Sequence, residues 1–374
     1  MGPREIGRRL TDRPWPITLA VFVPWVLYMS VVQAAGLDRG LIHRGIVEYW
    51  VHGIQPDWAW VPYIHPPGYS GFMNAMAWLA EATGVDPNLL VLHQGFALRA
   101  ATLCVAVFAA ERWLGSRWAL VVGACLALSP NGIRPFEHYP LSAFLGALAF
   151  IAIVELRRRA DRDSLLVAVL AVFVAVEIHL SNWFVVGGMM AAMFVFVAER
   201  RRMAVGASLA MIGAFFVTTY PGLFRVLSLG AGNDDVGDMA PGGVTFEWIN
   251  PVLLLGLAAW FVPKLARRSI DGFLLAMGCV LFSAVTVVLQ HTQVADGQPY
   301  PYGLHYYELI EVPAVLAAAF ALAALWRGAG RGARVAVGMA TAGLVLSQGY
   351  WFFEGQTWIW MAPYWFWATL WPFG

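Results

Sequence analysis

The sequence predicts an all-α polytopic membrane protein, a single bundle of about eleven transmembrane helices, and three observations predict it. Of 374 residues, 60% are hydrophobic and only 13% charged, with a mean hydropathy of +0.64, more apolar than a water-soluble domain can be. Apolar stretches of about 20 residues, the length that crosses a hydrocarbon core, recur from Trp15 to Tyr350. Finally, 19 of the 24 Lys and Arg residues fall into six clusters between those stretches, as cationic loops do when they stay in the cytoplasm. Residues 1–374 thus read as one transmembrane domain, with no room for a soluble one.

Arg4, Arg8, Arg9 and Arg13 precede the first apolar run. That run is long for a signal peptide and lacks a small-residue cleavage site, so residues 15–36 are expected as an uncleaved first helix. Further spans are expected at 89–110, 118–135, 140–156, 164–181, 183–199, 203–222, 247–263, 270–290, 308–326 and 333–352. The apolar run Leu165 to Ala198 is too long for one span and divides at the polar stretch from Glu177 through His179 and Asn182 to Trp183. With that division, the clusters Arg112 with Arg117, Arg157 to Arg162, Arg200 to Arg202, Lys264 to Arg268 and Arg327 to Arg334 share the N-terminal side. The N-terminus is therefore placed in the cytoplasm and the C-terminus outside, in a membrane read as a bacterial inner membrane. The tail 353–374, with Trp358, Trp360, Trp365, Trp367 and Trp371, reads as an interfacial helix. Cys104, Cys125 and Cys279 each sit within an apolar run and suggest neither a disulfide framework nor a CxxC metal site.

Polar content collects in the outer segments, and the first, residues 38–88, carries the most chemistry. After Asp38, the residues Leu41, Ile46, Val47, Trp50 and Val51 form an apolar stripe, with Arg44, Glu48 and His52 on another face. A short juxtamembrane helix lying in the interface is expected there. Pro66 and Pro67 are expected to stop any helix and form a tight turn, followed by an amphipathic stretch from Ser70 to Ala82. His43, His52 and His65 have no recognised zinc spacing, and the loop Gly232 to Asp238 lacks the terminal Glu of a calcium loop. Glu177 and His179 are ionisable residues between spans, where they either bond to each other or serve function.

Asp38 at the outer end of the first helix, Gly53 15 residues later, and His65-Pro66-Pro67-Gly68-Tyr69 together resemble the first periplasmic loop of the GT-C glycosyltransferases, in the protein mannosyltransferase and aminoarabinose transferase branch. Two further stretches agree. Residues 126–141, with Arg134, Glu137 and His138, are similar to the loop between the third and fourth helices of that family. Residues 302–313 resemble its late Arg-Tyr-Leu-Leu-Pro type motif, with His305 in place of the arginine and Glu311 where the first proline is expected. A second acid often follows the first in the family, whereas this chain has Arg39.

The resemblance implies a membrane glycosyltransferase that moves a sugar from a polyprenyl-phosphate donor to an acceptor on the outer face, with inversion. Asp38 is implied as the catalytic or acceptor-orienting carboxylate. Arg99, placed near the outer end of the second helix, and Arg134, His138 and His305 would surround the donor phosphate, where negative charge grows. Glu48, His65, Tyr69, Glu137, Tyr306 and Glu308 would line the substrate cavity. The co-substrate is a lipid-linked sugar and no cofactor is expected; no metal ligand set is assigned, a divalent metal staying an open alternative. Membrane lipids are expected partners, nucleic acid is not, and the acceptor is left unnamed. Two other readings stand beside this one: a transporter or flippase using Glu177, His179 and Glu308, and an inactive GT-C-like subunit. One-sided polar residues and the lack of similarity between the halves weigh against the transporter.

Overall fold

The computed structural model describes residues 15–36, 67–128, 139–179, 182–218, 260, 263–292, 294–295, 298–299 and 308–354. In chain order its helices are α1 (Trp15–Gly36), α2 (Pro67–Thr83), α3 (Pro87–Leu114), α4 (Ser116–Ala127), α5 (Tyr139–Arg159) and α6 (Arg162–Ile178). They continue with α7 (Asn182–Phe196), α8 (Arg201–Thr218), α9 (Pro263–Arg268), α10 (Ile270–Thr292), α11 (Glu308–Gly328) and α12 (Arg331–Glu354). The fold is the expected all-α bundle, with one antiparallel pairing of two-residue strands, Val294–Ala295 against Gln298–Pro299.

Helix α11 stands at the centre and touches α3, α4, α5, α9, α10 and α12. Its composition explains the position: Ala314, Ala317, Ala318, Ala319, Ala321, Ala323 and Ala324 are all buried, so neighbours approach closely on every side. At the periphery, α6 exposes Leu166, Val167 and Leu170, and α8 exposes Leu209, Ile212 and Phe216. Apolar faces turned outward suit lipid as the solvent, and the chain is an integral membrane protein. Among the described residues, Leu89–Leu114, Pro140–Arg159 and Leu309–Gly328 are long and apolar enough to cross a membrane, while Asn182–Phe196 and Ala198–Phe216 meet at a bend of 114°. The expected span 247–263 lies almost wholly outside the described residues.

Two element boundaries differ from the sequence expectation. Helix α4 ends at Ala127, well short of residue 135, with Leu128 at φ −100° and ψ 11°. Ser129-Pro130 follow, and a residue before proline is pushed out of helical geometry. The double proline, expected as a turn, instead starts a helix: Pro67 is the first residue of α2, a position where its missing N–H costs nothing.

Sharp breaks keep successive helices antiparallel. Between α3 and α4, Gly115 takes φ +91°, and its N–H bonds to the carbonyls of Ala110 and Glu111 at 3.2 and 3.0 Å. Between α5 and α6, Ala160 takes φ +58°, and the Asp161 carboxylate accepts from the Ser164 N–H at 2.7 Å in a capping box. The hydrogen bonds from Ser164 hold the Asp161 carboxyl below its usual range. A left-handed conformation costs a residue with a Cβ about 1 kcal/mol. Ala160→Gly should therefore stabilise the protein by roughly 0.5 kcal/mol, net of glycine's extra chain entropy, read as a rise in thermal midpoint.

An ionic network ties α3, α5 and α10 at the end of the bundle that carries the arginine clusters. Buried Asp271 pairs with Arg157, and with Arg158 at 2.8 Å. Glu155 pairs with Arg112 at 3.0 Å and Arg159 at 3.1 Å and accepts from Trp113 Nε1 at 2.7 Å. The Arg158 guanidinium stacks 5.2 Å over the Trp113 ring. Such sharing is how several cations tolerate partial burial near the bilayer.

Candidate functional site

Five helices converge on Arg99. It lies 12 residues beyond Pro87, roughly 18 Å along α3 at 1.5 Å per residue, so it sits deep in the helix and not near its outer end as the sequence suggested. Its Nη1 donates to Ser30 Oγ on α1 at 3.4 Å. Ser30 spends its own proton on the Val26 carbonyl at 2.7 Å, which leaves oxygen lone pairs toward the guanidinium. The cavity beside Arg99 is narrow, about 30 Å³, and is also lined by Val26, Thr102, Leu126, Pro140 and Glu311.

The depth of Arg99 is explained by where the other helices stop. Pro140 and Glu311 lie in the first turns of α5 and α11, and Leu126 in the last turn of α4. The cavity therefore occupies the level at which α4, α5 and α11 end, while α3 continues past it with α2 packed alongside.

Glu311 is the residue that sequence reasoning did not place in the site. Its carboxylate lies within electrostatic range of Arg99, and its buried Oε1 has no hydrogen-bond partner among the described residues. Carboxylates are costly at membrane depth and mark function by default; that signal is available in the sequence, since Glu311 falls within the expected span 308–326. The arrangement offers a cation for an anionic ligand, with an internal carboxylate as the counter-ion the ligand would displace. Among the described residues no three His, Cys, Asp or Glu side chains converge as metal ligands do.

A second polar group lies across the first turns of α5. Fully buried Asn182 donates through Nδ2 to Ser142 Oγ at 3.2 Å and to the Ala175 carbonyl at 2.9 Å. Buried His179 and Glu177 flank it. Ser142 faces this group while the adjacent Ala143 lines the Arg99 cavity, so one helical turn partitions the two. Gly68, at the start of α2, docks here. A Cβ on Gly68 would meet the Glu177 carbonyl oxygen and Cβ at 2.6 Å. Tyr69 is buried with Met73 and Val91, and is not among the residues lining the Arg99 cavity.

Of the other residues singled out from sequence, Asp38, Glu48, His65, Arg134, Glu137, His138, His305 and Tyr306 lie outside the described residues. Glu308 is the first residue of α11, one turn before Glu311.

No family model matches the sequence, and no curated protein matches it. Two crystal structures of ArnT from Cupriavidus metallidurans resemble the chain in fold. The apo state aligns at a TM-score of 0.49 and 14% identity, over 94% of this chain and 77% of that one. The structure bound to undecaprenyl phosphate aligns at 0.53 and 15% identity, over 88% of this chain and 63% of that one. At such identity the likeness concerns the course of the helices. Taken with the all-α bundle built around α11, the second alignment shows that the chain shares the polytopic helical membrane fold of that structure.

Proposed function

We propose that this protein is a membrane glycosyltransferase that moves a sugar from a polyprenyl-phosphate carrier to an acceptor on the outer face, inverting the anomeric centre. The observation that carries this reading is Arg99, a guanidinium in a cavity at the level where three helices end, opposed by Glu311. A planar five-donor fork suits a phosphate better than any other side chain does. The fold neighbour crystallised with undecaprenyl phosphate supports the same class of ligand.

The reaction follows from charge. An acceptor hydroxyl attacks the anomeric carbon, the bond from that carbon to the phosphate oxygen breaks, and the carrier leaves as a phosphate monoester. Negative charge grows on the phosphate as that bond breaks, so a cation aimed there stabilises the transition state more than the ground state. Asp38 would take the proton of the acceptor hydroxyl. It follows α1 by two residues, and α1 also carries Ser30, the partner of Arg99. Arg134, Glu137 and His138 immediately precede α5, and His305 and Tyr306 immediately precede α11. Those are the two helices whose first turns line the cavity, which supports Arg134, His138 and His305 as donor-phosphate residues and Glu137 and Tyr306 as lining of the substrate cavity. Glu48, His65 and Glu308 belong to the same proposal, as lining of the substrate cavity.

Asp38→Asn in the full-length protein should abolish transfer of labelled sugar from a polyprenyl-phosphate donor in liposomes while carrier binding persists. Full turnover by that variant would remove Asp38 from the role. Wild-type protein that moves the carrier across the bilayer without cleaving it would favour the flippase reading instead.

A further inference from the structure

At the opposite end of α11 from Glu311, the turn into α12 borders an open cavity of about 680 Å³, lined by Trp326, Gly330, Arg331, Arg334, Val335 and Gly338. Its volume is in the range of small-molecule sites. The Arg334 guanidinium stands 5.9 Å over the Trp326 ring, and Gly338 lies beside that ring, a Cβ there standing 4.0 Å from Trp326 Cζ3.

Charge in this region is unbalanced. From Val312 to Phe353 the chain holds Arg327, Arg331 and Arg334 and no Asp or Glu. Among the described residues, neither Arg331 nor Arg334 forms an ion pair, in contrast to Arg112, Arg157, Arg158 and Arg159, which all do. Beyond the arginines the surface becomes apolar: Val335 and Met339 on α12 and Leu325 on α11 are exposed. A cationic mouth, an aromatic wall and an apolar runway are the three parts needed to hold a phosphate and the acyl chains attached to it.

We propose that this cavity binds the headgroup of an anionic glycerophospholipid of the cytoplasmic leaflet, with its phosphate on Arg331 and Arg334 and its acyl chains along Val335 and Met339. The side follows from the arginine distribution, which places this turn in the cytoplasm. Charge complementarity selects the occupant: a zwitterionic lipid brings its own cation to an already cationic mouth, and an anionic one does not. The site lies at the far end of the bundle from the Arg99 cavity and does not depend on the sugar-transfer reading.

The test is lipid retention by delipidated full-length protein in detergent, titrated with phosphatidylglycerol, phosphatidylcholine or glycerol phosphate and read by native mass spectrometry and thermal midpoint. Phosphatidylglycerol should bind and raise the midpoint, with phosphatidylcholine and glycerol phosphate giving little effect. Arg331→Gln with Arg334→Gln should weaken phosphatidylglycerol roughly 30-fold, two surface cations being lost. Gly338→Leu keeps both charges and fills the cavity; it should weaken binding to a similar degree while the lipid-free midpoint stays unchanged. Wild-type affinity in Gly338→Leu would overturn the proposal by reducing the effect to surface charge, and equal retention of both lipids would overturn it outright. Binding of glycerol phosphate as tightly as the lipid would replace the lipid with a free phosphate as ligand.

Discussion

Arg99→Met is expected to reduce sugar transfer from a polyprenyl-phosphate donor by roughly 100-fold or more, the usual consequence of removing one donor aimed at developing charge. Met keeps the length and apolar stem of arginine and removes only the fork. The complication is Glu311, because a carboxylate left without its neighbouring cation destabilises the bundle. Arg99→Met combined with Glu311→Gln removes both charges and should restore the thermal midpoint without restoring transfer. That split separates a role in the reaction from a role in holding α3 against α11. Glu311→Gln alone frees Arg99 from its internal counter-ion and should tighten binding of undecaprenyl phosphate. Wild-type turnover by the double variant would remove Arg99 from the donor site.

Gly278→Val should be the most destabilising single substitution in the described bundle, lowering stability by about 3 kcal/mol and yielding little monodisperse protein after extraction. Helices α7 and α10 share the most extensive contact among the described helices, and two glycines make the approach possible. A Cβ on Gly278 would meet the Val185 carbonyl oxygen at 2.8 Å, and one on Gly188 would meet the Met277 carbonyl oxygen at 2.5 Å and the Gly278 Cα at 2.9 Å. These are backbone atoms, which cannot rotate away as a side-chain tip can. Small residues at crossings are how membrane helices gain van der Waals contact when no hydrophobic force drives them together. Gly187→Ala on the same helix is the control: its Cβ would meet only Leu281 Cδ2 at 3.7 Å, and on α8 Gly213→Ala would meet nothing within 4 Å. Unfolding followed by tryptophan fluorescence distinguishes the three; a Gly278→Val midpoint equal to that of Gly187→Ala would refute the contact.

The helices were largely legible in the sequence because hydropathy counts apolar residues, and α1, α3, α5, α6, α7, α8, α10, α11 and α12 all fall where that count put them. The division of the long run at Glu177 to Trp183 was legible for the same reason. What hydropathy does not encode is where backbone geometry overrides it. Pro130 ends α4 early although apolar residues precede it, and Pro67 starts a helix where a proline pair reads as a turn. In the candidate site, Arg99 stood out as a cation among apolar neighbours, but its depth depends on where α4, α5 and α11 end. Its place beside Glu311 in one cavity joins residues 212 positions apart, a tertiary fact that no local pattern carries. Glu311 occupied a motif position expected to hold proline, and its place opposite Arg99 emerges only once α3 and α11 are packed.

Gly68 changes what the His65-Pro66-Pro67-Gly68-Tyr69 motif can be used for. Its contact with Glu177 makes Gly68 a latch between α2 and α6, and a latch is selected for by folding whether or not any sugar is moved. A relative that had lost catalysis but still assembled its bundle would keep those residues. A census based on Gly68 would therefore count chains that fold; on the function proposed above, Arg99 and Glu311 together are the feature to survey when counting chains that work.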